Sequence, residues 1–171
     1  DRLYICSQLV KALKELEAHG AISHNHEILV IPSVNRFSMN VGKRFWPTDN
    51  SDINRAFPGD VNGDTTNQIA GTLFDRIKGY SYGIHFASFY MPGDFIPHVK
   101  MMDTGFQSAS LANLFGLQYV VIRKPKPMDT VTLNYNWQMN GTNAFSIYTN
   151  STDMIDEKSA RQAVSSAVSY T

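Results

Sequence analysis

Tyr82-Gly83-Ile84-His85-Phe86 is an apolar run of strand length that carries one histidine, and the segments on either side of it set the fold. Upstream, Ile69, Leu73, Phe74 and Ile77 recur at helical spacing. Thr65 or Thr66 can cap that helix and Gly79 can end it. Downstream, Pro92, Gly93 and Pro97 mark an irregular stretch, Ser108 to Phe115 reads as a short helix closed by Gly116, and Gln118 to Ile122 reads as the next strand. Farther out the rhythm continues. Leu3, Cys6, Leu9, Val10, Leu13 and Leu16 form a helical stripe that stops at Gly20, and Glu27 to Ile31 reads as a strand ended by Pro32. After a loop marked by Pro125 and Pro127, Tyr135-Asn136-Trp137 fits a short helix, Ala144 to Tyr148 a strand, and Asp156 to Tyr170 a closing helix. Strands alternating with helices predict an α/β domain over residues 1–171, a layered sheet of mostly parallel strands flanked by helices.

Composition narrows the function classes. Fifteen basic residues balance fifteen acidic ones, so no net field favours nucleic acid or an anionic membrane. The apolar runs, such as Ile28-Leu29-Val30-Ile31 and Tyr119-Val120-Val121-Ile122, are far short of the roughly 18 residues of a membrane span. Cys6 is the single cysteine and reads as a small apolar helix residue, so a disulfide framework is excluded and a cytoplasmic location is expected. Asp1 falls inside the first helical stripe, so the chain is expected to be a fragment.

Residues 33 to 64 are rich in Asn, Gly, Asp and Pro, and a loop that long usually carries function or encloses a site. Within it lies Asp52-Ile53-Asn54-Arg55-Ala56-Phe57-Pro58-Gly59. Asn54 and Arg55 combine an amide with a planar fork of donors, suited to clamp a carboxylate or carbonyl oxygen, and Phe-Pro-Gly stiffens and turns the backbone behind them. His85 on its apolar strand is a candidate metal ligand. Ligands in open α/β sheets gather at the carboxyl ends of strands, which brings the Asn-Arg segment, His85 and Tyr148 toward one crevice. His24-Asn25-His26-Glu27 reads as a solvated connection, and His98 as a surface-loop residue that can also line the pocket. Phe45, Trp46, Phe57, Phe89 and Tyr90 place aromatics in loops, where they pack the loops down or wall off an acyl group. Neither a glycine-rich phosphate cradle nor a Gly-x-Ser-x-Gly elbow occurs.

Taken in order, Ile31-Pro32-Ser33-Val34-Asn35, Lys43-Arg44-Phe45-Trp46-Pro47-Thr48-Asp49, Asp52 to Gly59, Gly83-Ile84-His85-Phe86 and Pro97-His98-Val99 resemble the succinylglutamate desuccinylase and aspartoacylase family, within the zinc carboxypeptidase superfamily. The resemblance spans nearly the whole chain and implies a zinc carboxypeptidase-like fold. It makes His85 a ligand of a catalytic Zn2+ whose other ligands, a His and a Glu, are expected upstream of Asp1. By the same resemblance Asn54, Arg55 and Arg44 bind the substrate carboxylate or the developing oxyanion.

Three positions depart from that pattern. Tyr148 stands where the family carries its catalytic Glu, and a phenol with a pKa near 10 donates a hydrogen bond to an oxyanion rather than accepting a proton from water. The nearest carboxylates in sequence are Asp153, Asp156 and Glu157. Gly83 stands where the family often has an Asp that orients the metal-bound histidine, and Gln138 stands where aspartoacylases carry another arginine. The resemblance thus implies a zinc-dependent amide hydrolase, a deacylase of N-acyl amino acids or a metallopeptidase-like enzyme on short peptides, with Tyr148 and Arg55 as its catalytic groups. Two alternatives stay open: a catalytically inactive member binding an acidic ligand, and a carboxypeptidase acting on cell-wall peptides.

Overall fold

The computed structural model describes residues 2–87, 89, 91–107, 109–150 and 155–168. Four strands form one sheet: β1 (Tyr82–Ala87), β2 (His98–Met102), β3 (Tyr119–Arg123) and β4 (Asn143–Tyr148), in the spatial order β1-β4-β2-β3. β1 runs parallel to β4 and β2 parallel to β3, while β2 and β4 are antiparallel. The sheet is therefore mixed, with two of its three strand pairs parallel. Around it lie α1 (Arg2–Ala18), α2 (Arg36–Asn40), α3 (Thr65–Ile77), α4 (Leu133–Met139) and α5 (Glu157–Val168).

Alternation along the strands divides the sheet into two faces. Ile84, Phe86, Val99, Met101, Val120, Phe145 and Ile147 pack with Ile5 of α1, Ala160 and Ala163 of α5 and Phe115 of a 3-10 helix (Ala109–Phe115). Phe115 and Phe145 meet edge to face there, with ring centroids 4.9 Å apart. Burying each such ring stabilises the fold by roughly 2–3 kcal/mol, so this face supplies most of the core. On the opposite face Ala144 packs with Phe57, Ala70, Phe74, Ile77, Leu133 and Trp137, which brings α3, α4 and the Phe-Pro-Gly segment over the sheet. The result is an α/β/α layering.

Helix ends follow local chemistry. α3 is capped by Asp64, whose Oδ1 accepts from the Asn67 amide at 2.9 Å, rather than by Thr65 or Thr66. Thr66 is instead buried. Asn35 caps α2 in the same way, through Ser38.

Two expectations fail here. Residues 27–31 form no strand, and Ile28, Leu29 and Ile31 are exposed. An apolar run becomes a strand only when a neighbour completes its backbone hydrogen bonds, and none of the four strands pairs with this one. Conversely, His98 to Met102, read as irregular, is the second strand from one edge of the sheet. The expected helix starts and ends at Ser108 and at 169–170, and the residues Tyr90 and Asp153, lie outside the described residues.

Candidate active site

The register of the sheet builds the site on the face covered by α3 and α4. His85 on β1 is the partner of Ser146 on β4, which is in turn the partner of Lys100 on β2. The next row holds Ala87, Tyr148 and His98. Gly83, Ala144 and these residues share one face, because Ile84, Phe86, Phe145, Ile147 and Val99 all occupy the other. β1 and β4 end together, and β2, running the opposite way, begins beside them. Tyr148 and His98 therefore meet at the carboxyl end of β4, with His85 on the same face two residues before the end of β1, the region where open α/β sheets bind ligands.

Tyr148 is the centre of this cluster. Its ring lies flat against His98, with centroids 4.8 Å apart and planes 5° from parallel. Phe89 leans on it at 5.0 Å, and the Lys100 ammonium sits 5.7 Å from its centroid. Burial pushes the phenol above its ordinary pKa, while the positive fields of Arg44, Arg123 and Arg55 pull the other way. The hydroxyl therefore stays protonated at neutral pH and acts as a donor.

Three arginines lend their charge to this region, and they differ in what holds them. Arg123 grips Asp129 in a bidentate pair, Nη1 to Oδ2 at 2.6 Å and Nη2 to Oδ1 at 2.7 Å. Arg44 donates to Asp52 at 2.8 Å, and Asp52 also accepts from the Asn54 amide at 3.0 Å, capping a 3-10 turn (Ile53–Arg55). Arg55 bonds only to the Asn54 carbonyl oxygen, at 3.1 Å, and no carboxylate among the described residues pairs with it. Asn54 reaches across the chain, its Oδ1 accepting from the Leu133 amide at 3.1 Å at the start of α4, which leaves Nδ2 to donate elsewhere. Behind this segment the backbone at Gly59 (φ 89°) presses against Gly71 of α3, where an added Cβ would overlap the helix backbone.

The floor of the site is polar and buried. Asn134 Nδ2 donates to Ser146 Oγ at 2.6 Å, and Asn134 Oδ1 is buried with no protein partner. Gln138 is 1% exposed and accepts from Thr104, so it belongs to the packed interior rather than to a ligand surface. At Gly83, a Cβ would come within 2.8 Å of the Trp137 ring, so no carboxylate can stand there to orient His85. Burial likewise lowers the Lys100 pKa, with repulsion from Arg123 adding to it. Among the described residues no three His, Cys, Asp or Glu side chains converge, so they do not fit a zinc ion by themselves. Two grooves lie elsewhere. One of about 450 Å³ is lined by Ile31, Val34 and Thr65, Gln68, Ile69, Thr72 and Leu73 of α3; one of about 280 Å³ lies beside Val10 and Leu13 of α1.

Of the residues singled out in the sequence, Arg44 and Arg55 lie near enough for their charges to act on Tyr148, Asn54 precedes Arg55 and ties that segment to α4, and His85 stands on the same sheet face as Tyr148, one strand away. Lys100, Arg123 and Asn134 are added by the structure, and His98, read as a surface-loop residue that can also line the pocket, is a strand residue stacked on Tyr148. The alternation His98-Val99-Lys100-Met101, polar residues on one side and buried apolar ones on the other, was the signal that would have found β2.

No family model and no curated protein matches the chain. Solved structures do. An aspartoacylase family protein from Mesorhizobium loti superposes with a TM-score of 0.72 at 19% identity, covering 96% of this chain and 52% of that one. The ectoine utilization protein EutE from Ruegeria pomeroyi, in a product-bound structure, gives 0.70 at 20% identity over 82% of this chain and 44% of that one. A succinylglutamate desuccinylase/aspartoacylase from Rhodobacter sphaeroides gives 0.69 at 21% over 81% and 42%. The chain has the fold of the succinylglutamate desuccinylase/aspartoacylase proteins, the same family that its motifs resemble, and it spans about half the length of those relatives. Among the described residues no helix is long and apolar enough to cross a membrane.

Proposed function

We propose that the chain is part of an amide hydrolase of the desuccinylase/aspartoacylase kind, releasing an acyl group from a small N-acyl amino acid. The observation that carries this reading is Arg55, a guanidinium with no carboxylate partner among the described residues, whose charge acts on the half-buried phenol of Tyr148 at the strand ends. A substrate carboxylate would take the fork of Arg55 and the Nδ2 of Asn54. Its amide carbonyl would then lie over Tyr148, whose hydroxyl donates to the oxygen as negative charge develops on it. Arg44 contributes field more than contact, because Asp52 already holds it. In this reading His85 would be one donor to a zinc ion, which would supply Lewis acidity at the amide carbonyl if donors beyond the described residues completed its ligand set.

Incubating the intact protein with zinc and a panel of N-acyl amino acids and short peptides tests the proposal. Release of free amino acid that stops on chelation and in Arg55→Ala is the expected result. A second reading, a binder without turnover, is favoured by one observation: a phenol stands where a carboxylate base is expected. Tight calorimetric binding of an acidic ligand with no product formed would select it.

A further inference from the structure

Among the described residues, the carboxylates paired with the arginines around Tyr148 offer no acceptor for the proton that the hydrolase reading must move. Tyr148 is a donor, Asp52 is held by Arg44, and Asp129 is held by Arg123 with a pKa of about 2, too low to take a proton from water. One neighbour of Tyr148 has the right chemistry. His98, the first residue of β2, stacks on the phenol at 4.8 Å. Its Nδ1 lies 2.9 Å from the Ile96 carbonyl oxygen, which can only accept. Nδ1 therefore carries the hydrogen, and in the neutral ring Nε2 is left with its lone pair. The ring is half-buried, and the aromatic side chains of Tyr148 and Phe89 pack against it and fix its orientation.

We infer that His98 is the general base of this site, standing in for the carboxylate that position 148 lacks. The inference rests on the hydrolase reading. Nε2 takes one proton from a water molecule as the water oxygen bonds to the amide carbon, and the carbonyl oxygen takes up the negative charge against the Tyr148 hydroxyl. The same proton passes from Nε2 to the amide nitrogen as the carbon–nitrogen bond breaks. One water is consumed, and a carboxylic acid and an amine leave. The charged and titratable groups around the ring are Tyr148 on β4, Tyr119 in register on β3, Lys100 two residues along β2, and Arg44, Arg55 and Arg123, whose fields reach Tyr148.

The test is a pH–rate profile of the intact protein with zinc on an N-acyl amino acid that it turns over, beside His98→Ala and His98→Gln. General-base removal should lower kcat about a hundredfold or more. KM should change little, the acid limb of the profile should disappear, and added imidazole should restore at least tenfold of the rate to His98→Ala. Variants within twofold of the parent, or a loss that imidazole does not repair, overturn the inference while leaving the hydrolase reading in place. Absence of turnover in the parent protein removes both.

Discussion

Arg123 and Asp129 face each other through two short parallel hydrogen bonds, and the Lys126 amide adds a third bond to the same carboxylate at 2.7 Å. This geometry holds the Asp129 carboxyl at a pKa of about 2, with the Arg123 hydrogen bonds as the main cause. A carboxylate pulled below its ordinary 3.8 stabilises the fold fully above about pH 4 and loses that contribution as pH falls toward 2. The shift corresponds to roughly 2 kcal/mol. Urea unfolding of Asp129→Asn at pH 7 should therefore show a loss of about that size, and the gap to the parent should close between pH 4 and pH 2. A gap independent of pH would mean that packing, not charge, explains the cost.

Gly83 lies under Trp137, and the space for a side chain is already filled by the indole. Gly83→Asp forces a carboxylate into that ring, and overpacking of this kind costs about 1–3 kcal/mol before the buried charge is counted. Denaturation of the single variant should show at least that loss. Combining it with Trp137→Ala should recover part of it, because Trp137→Ala opens the space the aspartate needs. Additive costs in the double variant would show that the two positions do not compete.

The strands that were legible in the sequence are those that read as runs of mostly apolar or small residues. β1 and β4 interrupt such runs on the site face only with His85 and with Ser146 and Tyr148. β2 presents His98 and Lys100 instead, and Pro97 and Gly93 just before it look like loop. Glu27 to Ile31 fails for the opposite reason: its apolar residues promise a strand, but pairing is a property of neighbours, which spacing along the chain does not encode. The site divides along the same line. Arg55 and Tyr148 were visible because each lies in a local motif. His98 read as a surface-loop residue that could line the pocket, since only the antiparallel register of β2 against β4 stacks it on Tyr148.

Asn54 and Arg55 are neighbours with separable tasks. Asn54 Oδ1 receives the Leu133 amide and so ties the loop to the first turn of α4. Asn54→Ala should destabilise the fold by about 1 kcal/mol, the usual cost of losing such an interaction. Arg55 holds no carboxylate among the described residues and is exposed, so Arg55→Ala should leave stability within about 0.5 kcal/mol of the parent. Its affinity for a carboxylate ligand, measured by calorimetry, should fall at least tenfold, because the bidentate contact is lost. Unchanged affinity would separate Arg55 from ligand binding altogether.

Tyr148→Phe removes one oxygen and nothing else from the centre of the site. The ring keeps its stacking on His98 and its contact with Phe89, so unfolding should be little changed. If the hydroxyl donates to the oxyanion, its loss raises the barrier without touching the carboxylate held by Arg55. The expected result is a fall in kcat of about a hundredfold with KM preserved, the size seen when one donor to an oxyanion is deleted. Because burial keeps the phenol protonated, the parent should show no loss of rate from Tyr148 ionising between pH 7 and about pH 9. Equal kcat in parent and variant would assign the phenol to packing alone.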